Sequence, residues 1–205
     1  MVRFLKRKNK IKENSLENSP VTIGVTGTDY KIGTTSFAFL LATFLCEIRG
    51  HKVAMVMIKE SDTSGVYSKI SLSVSEDRKY EKYYMIGNLA CFLNIDDALM
   101  YGEKYDYIII DYGKISNSIL KDYLRNIHKI VVTSCQLWHA PSNDKAFNIL
   151  ENIKESKNWL YVVQGTDKDI GLLSKTRNLF AVKMPYIENS MKITNISLEF
   201  FNKII

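Results

Sequence analysis

The apolar residues of this chain follow two alternating patterns. Short runs rich in β-branched residues, typical of buried strands, are separated by segments in which apolar residues recur every three to four positions, as on one face of a helix. The predicted strands lie at residues 21–26, 52–58, 105–110, 129–133, 159–163 and 179–184. The predicted helices carry their apolar faces within residues 37–48, 119–124, 146–153, 170–173 and 193–204. This order predicts an α/β fold, a doubly wound and mostly parallel sheet with helices on both faces.

Residues 59–105 interrupt that pattern, because they are irregular and rich in Ser and Tyr. They predict no more than a short helix and an extended stretch. We expect Tyr80, Tyr83 and Tyr84 to lie at a sheet edge or against the core, since aromatic residues more often pack there than form a base-stacking surface. No repeat or linker divides the chain, so residues 21–205 are predicted to form a single domain.

The positive charge of the chain is concentrated at its start. Six of the 28 Lys and Arg residues precede Glu13, and the rest are balanced by the 22 Asp and Glu residues. We expect residues 1–20 to be a basic, disordered tail; the alternative is attraction to an anionic membrane surface or to an acidic partner. The neutral remainder argues against a nucleic-acid surface on the domain.

Two features predict the cellular compartment. No apolar segment follows the basic residues as in a signal peptide, and the longest apolar run, residues 37–46, is about half the length of a bilayer span. Cys46, Cys91 and Cys135 have neither zinc-site nor disulfide-framework spacing. We therefore expect a cytoplasmic protein, either free or peripheral to the inner face of the membrane.

A glycine-bearing loop joins the first predicted strand to the first predicted helix. A loop of this kind can bind phosphate, because its backbone N–H groups converge and the helix dipole adds partial positive charge. Glycine allows the close approach and the positive φ that such a loop requires. The candidate binding residues are Gly27, Thr28, Asp29, Tyr30, Lys31, Ile32, Gly33, Thr34, Thr35 and Ser36.

The stretch IGVTGTDYKIGTT resembles the loop of the MinD/ParA group of P-loop ATPases, and YDYIIIDYG resembles the Walker B strand of that group. The resemblance covers roughly residues 21–205, although only these two motifs are specific. It implies ATP or ADP with Mg²⁺ as cofactor, and Thr35 and Asp111 as metal ligands. It also implies a protein partner and a homodimer.

Three positions depart from the pattern of the group. Thr34 stands in place of the P-loop lysine, and Asp29 in place of the additional signature lysine. The aspartate that orients water would fall near Met57, with Lys59 just beyond. Because a charge-assisted hydrogen bond contributes about 1.5–3 kcal/mol, the loss of the lysine predicts phosphate binding weaker by roughly ten- to a hundredfold. Transition-state stabilisation should suffer more, which predicts a pseudo-ATPase without efficient hydrolysis.

Two alternatives remain open at this point. If Lys31 replaces the missing charge, the protein is an active Mg-ATP-dependent enzyme in which Asp111 is the one candidate catalytic residue. The loop also resembles that of dethiobiotin synthetase, a ligase of the same broad class, but that enzyme needs the lysine that Thr34 replaces. Conversely, if the carboxylate of Asp29 repels phosphate, the chain is an interaction protein that binds no nucleotide.

The ending PYIENSMKITNISLEFFNKII and the G-T-T loop resemble small TadZ/CpaE-like members of the group, which are associated with pilus or secretion systems. The resemblance implies a scaffold in a membrane-associated assembly. Trp138 and His139 follow a predicted strand at the edge where open α/β sheets bind ligands. They would either border the base of a nucleotide or pack against the protein.

Overall fold

The computed structural model describes residues 19–58 and 83–205. Its strands are β1 (Val21–Gly27), β2 (Val53–Met57), β3 (Tyr83–Ile86), β4 (Leu89–Phe92), β5 (Tyr107–Lys114), β6 (His128–Ser134), β7 (Leu160–Gln164) and β8 (Phe180–Lys183). Its α-helices are α1 (Thr34–Thr43), α2 (Ile95–Met100), α3 (Asn117–Leu124), α4 (Ala140–Glu151), α5 (Asp167–Arg177) and α6 (Asn195–Ile204). The tail predicted for residues 1–20 falls almost entirely outside the described residues and stays a prediction.

The described strands form one sheet in the order β3-β4-β2-β5-β1-β6-β7-β8. All neighbouring strands in it are parallel except β3 and β4. The predicted α/β class with a mostly parallel sheet is confirmed. Since parallel strands end at the same edge, the loop after β1 lies between the ends of β5 and β6.

A hydrophobic core lies on each face of the sheet. On one face, α1 is almost entirely buried because α6 covers its outer side, and the rings of Phe44 and Phe201 stack with centroids 4.7 Å apart. On the other face, α2, α3, α4 and α5 contribute to a second core that contains Tyr123 and Phe147. Burial on both faces explains why the central strands are continuous apolar runs.

The described part of the irregular segment holds more structure than the sequence predicts. β3 and β4 form an antiparallel hairpin at the edge of the sheet, and Gly87 has a φ of 58° in its turn. The ring of Tyr83 packs against Phe92 with centroids 5.0 Å apart. The predicted edge or core position is therefore confirmed for Tyr83 and for Tyr84 in the same strand, whereas Tyr80 lies outside the described residues.

Two helices differ in extent from their apolar patterns. The first is regular only to Thr43 and continues as one wider π-helical turn, Phe44–Ile48, before Gly50 at a φ of 69°. The segment predicted as a weak helix near residue 170 is the full helix α5. Its start is fixed by a capping box, in which Thr166 and Asp169 satisfy each other's backbone N–H groups.

In the part of the chain that the structure describes, no helix is long and apolar enough to cross a membrane.

Candidate functional site

The loop between β1 and α1 has the backbone shape of an anion-binding turn. Lys31 and Gly33 adopt left-handed conformations, with φ of 59° and 83°. α1 begins directly after Gly33, no described side chain caps it, and its first turn carries no acidic residue. The first N–H groups of α1 therefore remain for a ligand, and the helix dipole favours an anionic one.

Two of the predicted binding residues anchor the loop through their side chains. Ile32 is buried in the core beside α1, and Thr28 is fully buried. The hydroxyl oxygen of Thr28 lies 2.6 Å from Oδ1 of Asn143 and 2.9 Å from Oγ1 of Thr133. Nδ2 of Asn143 in turn donates to the carbonyl of Ser134. These contacts attach the loop to the end of β6, and the N–H of Thr28 also donates to the carbonyl of Val132 at 2.9 Å. Neither the two side chains nor the N–H of Thr28 is therefore available to a ligand.

Thr34, the first residue of α1, points back against the start of the loop and is 7% exposed. A Cβ atom placed on Gly27 would clash with Oγ1 of Thr34. The side chain therefore fills the space beside β1 and contributes no positive charge. Gly27 is required here for its lack of a side chain, and Gly33 for its positive φ.

Thr35 and Asp111 meet as predicted. Oγ1 of Thr35 donates to Oδ2 of Asp111 at 2.6 Å, and the N–H of Gly113 donates to Oδ1 at 3.0 Å. Burial raises the pKa of Asp111, and these two hydrogen bonds offset part of the rise. A hydroxyl and a carboxylate are oxygen ligands of the kind that Mg²⁺ prefers, so the pair fits the predicted metal site.

Asp111→Asn is expected to raise the free energy of unfolding by about 1 kcal/mol at neutral pH. The amide oxygen can still accept from the N–H of Gly113, the amide nitrogen can donate to Oγ1 of Thr35, and the buried charge is removed. Because the folded pKa of Asp111 lies above its unfolded value, ionisation reduces stability as the pH rises through that range. Urea titrations at several pH values should show the gain at pH 7 and little at pH 3. A variant less stable than the native chain at pH 7 would contradict the argument.

Asp29 is not a free carboxylate in the loop. Its Oδ1 lies 3.1 Å from Nζ of Lys114 and accepts from the N–H of Tyr30 at 2.9 Å, while its Oδ2 lies 2.8 Å from Nδ1 of His139. Burial raises the pKa of Asp29, but the hydrogen bonds from His139, the N–H of Tyr30 and Lys114 outweigh it and hold the pKa well below its usual range. Repulsion of phosphate by this carboxylate is therefore weaker than the sequence predicts.

Other predicted positions lie around this centre. Lys31 and Tyr30 are exposed at the tip of the loop, and Ser36 is half-buried in the first turn of α1. Met57 is buried at the end of β2, paired in register with Asp111, and Lys59 lies outside the described residues.

The two residues after β6 differ in environment. Trp138 is 72% exposed, which speaks against a packing role. The side chain of His139 is largely buried and contacts Asp29.

The comparisons with known proteins agree with this geometry. No protein-family model and no curated protein matches the chain. Solved structures do match. A ParA family ATPase from Chlorobium tepidum is 12% identical over 91% of this chain and 90% of its own, with a TM-score of 0.56. A chain of the MinC:MinD cell division protein complex of Aquifex aeolicus is 14% identical over 89% and 86%, with a TM-score of 0.60. The chain has the fold of the ParA and MinD ATPases.

A further structure with this fold is the nucleotide-binding protein of Archaeoglobus fulgidus in complex with ADP. It is 15% identical to this chain, covers 88% of it and 91% of its own length, and has a TM-score of 0.58. At such identities the likeness establishes the ParA/MinD fold, whereas the ligands and partners of this chain depend on its own residues.

Sequence reasoning missed three polar residues that surround the loop, Lys114, Ser142 and Asn143, and it missed the contact of His139 with Asp29. The sequence predicts a strand that ends at Asp111, but β5 continues to Lys114. That extension brings a lysine to the edge of the ParA/MinD fold where the loop lies. The signal available in the sequence was that Lys114 lies only three residues after Asp111.

Proposed function

We propose that this chain is a nucleotide-binding protein of the ParA/MinD type with a degenerate phosphate loop, which acts as a scaffold rather than as an efficient ATPase. One observation carries the proposal: the Thr35–Asp111 pair is in place at 2.6 Å, while Thr34 puts no charge beside it. The candidate metal ligands and the loop backbone that would contact phosphate are retained, whereas the lysine that would stabilise charge on a transferring phosphate is absent from position 34.

Retained and missing groups affect binding and hydrolysis differently. The uncapped start of α1 and the left-handed loop residues supply N–H donors to any phosphate. Thr35 and Asp111 would hold Mg²⁺, which neutralises phosphate charge when it is bound. Hydrolysis additionally needs charge stabilisation in the transition state and an oriented water. Thr34 offers no charge for the first, and the methionine at position 57 offers no polar group for the second.

The assembly role is part of the same proposal. It is supported by the fold shared with a chain of the MinC:MinD complex and by the resemblance of the chain's ending to TadZ/CpaE-like proteins. We propose a protein partner in a pilus or secretion assembly, a second copy of the chain in a homodimer, and attraction of residues 1–20 to an anionic membrane surface on the cytoplasmic side.

Thr34→Lys tests the degenerate loop. Isothermal titration calorimetry with Mg-ATP and Mg-ADP is expected to show binding to the native chain. Thr34→Lys should tighten ATP binding by roughly ten- to a hundredfold, because it restores one charge-assisted contact to phosphate. Thr34→Met is the matched control, since it has a side chain of similar length without charge, and it should give no gain.

Three results would redirect the proposal. Binding by Thr34→Lys alone would leave a scaffold that works without nucleotide. Absence of binding by both proteins would contradict a nucleotide site. Steady phosphate release by the native chain, lost in Lys31→Ala, would instead favour an active enzyme in which Lys31 replaces the missing lysine.

A further inference from the structure

The backbone of β5 places Lys114 beside the phosphate loop. β5 does not stop at Asp111 but runs three residues further, and Gly113 turns the chain with a φ of 63°. Lys114 pairs in register with Gly27 across an irregularity in the ladder, and the next residue, Ile115, donates its N–H to the carbonyl of Gly27 at 2.8 Å. The lysine is thereby fixed beside the first residue of the loop.

The side chain of Lys114 lies along the loop and not out in solvent. Its Nζ is 3.1 Å from Oδ1 of Asp29, 3.4 Å from Oγ of Ser142 and 4.9 Å from the centroid of the Tyr30 ring. The Lys114 and Asp29 side chains are 28% and 16% exposed. An ion pair this sheltered is screened less by solvent and salt than a surface pair.

Lys114 lies three residues after Asp111 in β5. It belongs to the same strand end as Asp111, whose carboxylate contacts Thr35 in the first turn of α1. A metal held by Thr35 and Asp111 would sit between that turn and β5, and the outer phosphates of a nucleotide coordinate such a metal. A lysine side chain extends about 6 Å from its Cα on a flexible four-carbon stem, so Nζ can turn from Asp29 toward phosphates that compete with the carboxylate for it.

Asp29 occupies the position of a competing anion. Its carboxylate contacts the ammonium of Lys114 and Nδ1 of His139, and it accepts a hydrogen bond from the N–H of Tyr30. A terminal phosphate carries up to two negative charges and more acceptor oxygens than a carboxylate. It can therefore draw the mobile ammonium away, while His139 and the N–H of Tyr30 keep the carboxylate in place.

We propose that Lys114 is the phosphate-contacting cation of this site, in place of the lysine absent at position 34, and that Asp29 is the internal anion with which a terminal phosphate competes for it. The inference rests on the proposed nucleotide binding and names its specificity: a nucleoside triphosphate over a diphosphate. Asp29 then weakens binding by occupying Lys114, and not by direct repulsion alone.

Calorimetry with Mg-ATP and Mg-ADP on the full chain tests this inference. Lys114→Ala should weaken ATP binding by roughly ten- to a hundredfold and ADP binding much less. Lys114→Arg should retain most of the affinity. Asp29→Asn should tighten ATP binding several-fold, and this gain should vanish in the double variant Asp29→Asn with Lys114→Ala.

Lys104→Ala is the matched control. Lys104 precedes the opposite end of β5 and also lies over an aromatic ring, with its Nζ 4.8 Å from the centroid of Tyr101. Its loss should leave both nucleotide affinities unchanged. Thermal unfolding of each variant verifies that it is folded. If Lys114→Ala does not fold, Lys114→Gln replaces it in the calorimetry.

The outcomes separate the two proposals. Equal losses of ATP and ADP affinity in Lys114→Ala, or no loss, would overturn the role of Lys114 while nucleotide binding stood. If the native chain binds ATP too weakly to measure, the same substitutions are made in the Thr34→Lys background. There, tighter ATP binding in Asp29→Asn that is lost when Lys114 is also replaced supports the inference. No such gain in ATP affinity overturns it. No binding by either parent protein refutes the proposed function itself.

Discussion

Phe201→Ala is expected to lower the free energy of unfolding by about 3–5 kcal/mol. Phe201 is fully buried in α6, and its ring centroid lies 4.7 Å from that of Phe44 and 5.9 Å from that of Phe37. Alanine would leave a cavity among these rings, and close packing prevents the surroundings from filling it completely. The loss should appear as a lower urea midpoint with an unchanged slope.

Ile196→Ala in the same helix is the control, because Ile196 is 61% exposed. Its effect should stay within about 0.5 kcal/mol. Comparable losses in the two variants would mean that the burial of Phe201 contributes no more than an exposed position of the same helix, and that α6 does not fill the core over α1.

Gly27→Ala is expected to abolish nucleotide binding and to lower the free energy of unfolding by about 1–3 kcal/mol. The added Cβ would clash with Oγ1 of Thr34 and would also lie 3.1 Å from the carbonyl oxygen of Asp29. Thr34 is the first residue of α1, and Asp29 lies in the loop itself. The methyl group can therefore be accommodated only if the phosphate-binding backbone moves. Calorimetry with Mg-ATP and urea unfolding measure the two effects.

Gly171→Ala provides a glycine-to-alanine change of the opposite sign. Gly171 lies inside α5, and a Cβ there meets no atom within 4 Å. Alanine should stabilise the chain by about 0.5–1 kcal/mol, because glycine loses more backbone freedom in a helix.

Unchanged ATP binding in Gly27→Ala would show that ATP affinity does not depend on the position of the loop backbone. It would contradict the assignment of this loop as the phosphate site.

The sequence predicts those parts of the site whose chemistry is local. Gly27, Gly33 and Thr35 follow one strand directly, and Asp111 ends an apolar run, so strand-end logic is enough to bring them together. The contact of Asp29 with Lys114 joins residues 85 positions apart. It depends on how far β5 runs past Asp111 and on the turn at Gly113, and no periodic pattern encodes either.

Two differences in the fold did have signals in the sequence. The hairpin of β3 and β4 turns at Gly87 and Asn88, a pair typical of two-residue hairpin loops. Each of its strands has only four residues, too few for a clear alternation. The start of α5 carries Thr166 and Asp169 at capping-box spacing. In both places a local turn or cap was more informative than hydrophobic periodicity.

The position of α6 over α1 sets an order of events during synthesis. α1 follows the first strand, yet the side chains that cover it come from a helix that follows every described strand. While the ribosome elongates the chain, Phe37 and Phe44 lack their partners in α6. Because exposed apolar surface of this kind promotes aggregation and chaperone binding, we expect nascent chains that stop before residue 195 to be held by chaperones. Release should follow only after α6 has emerged.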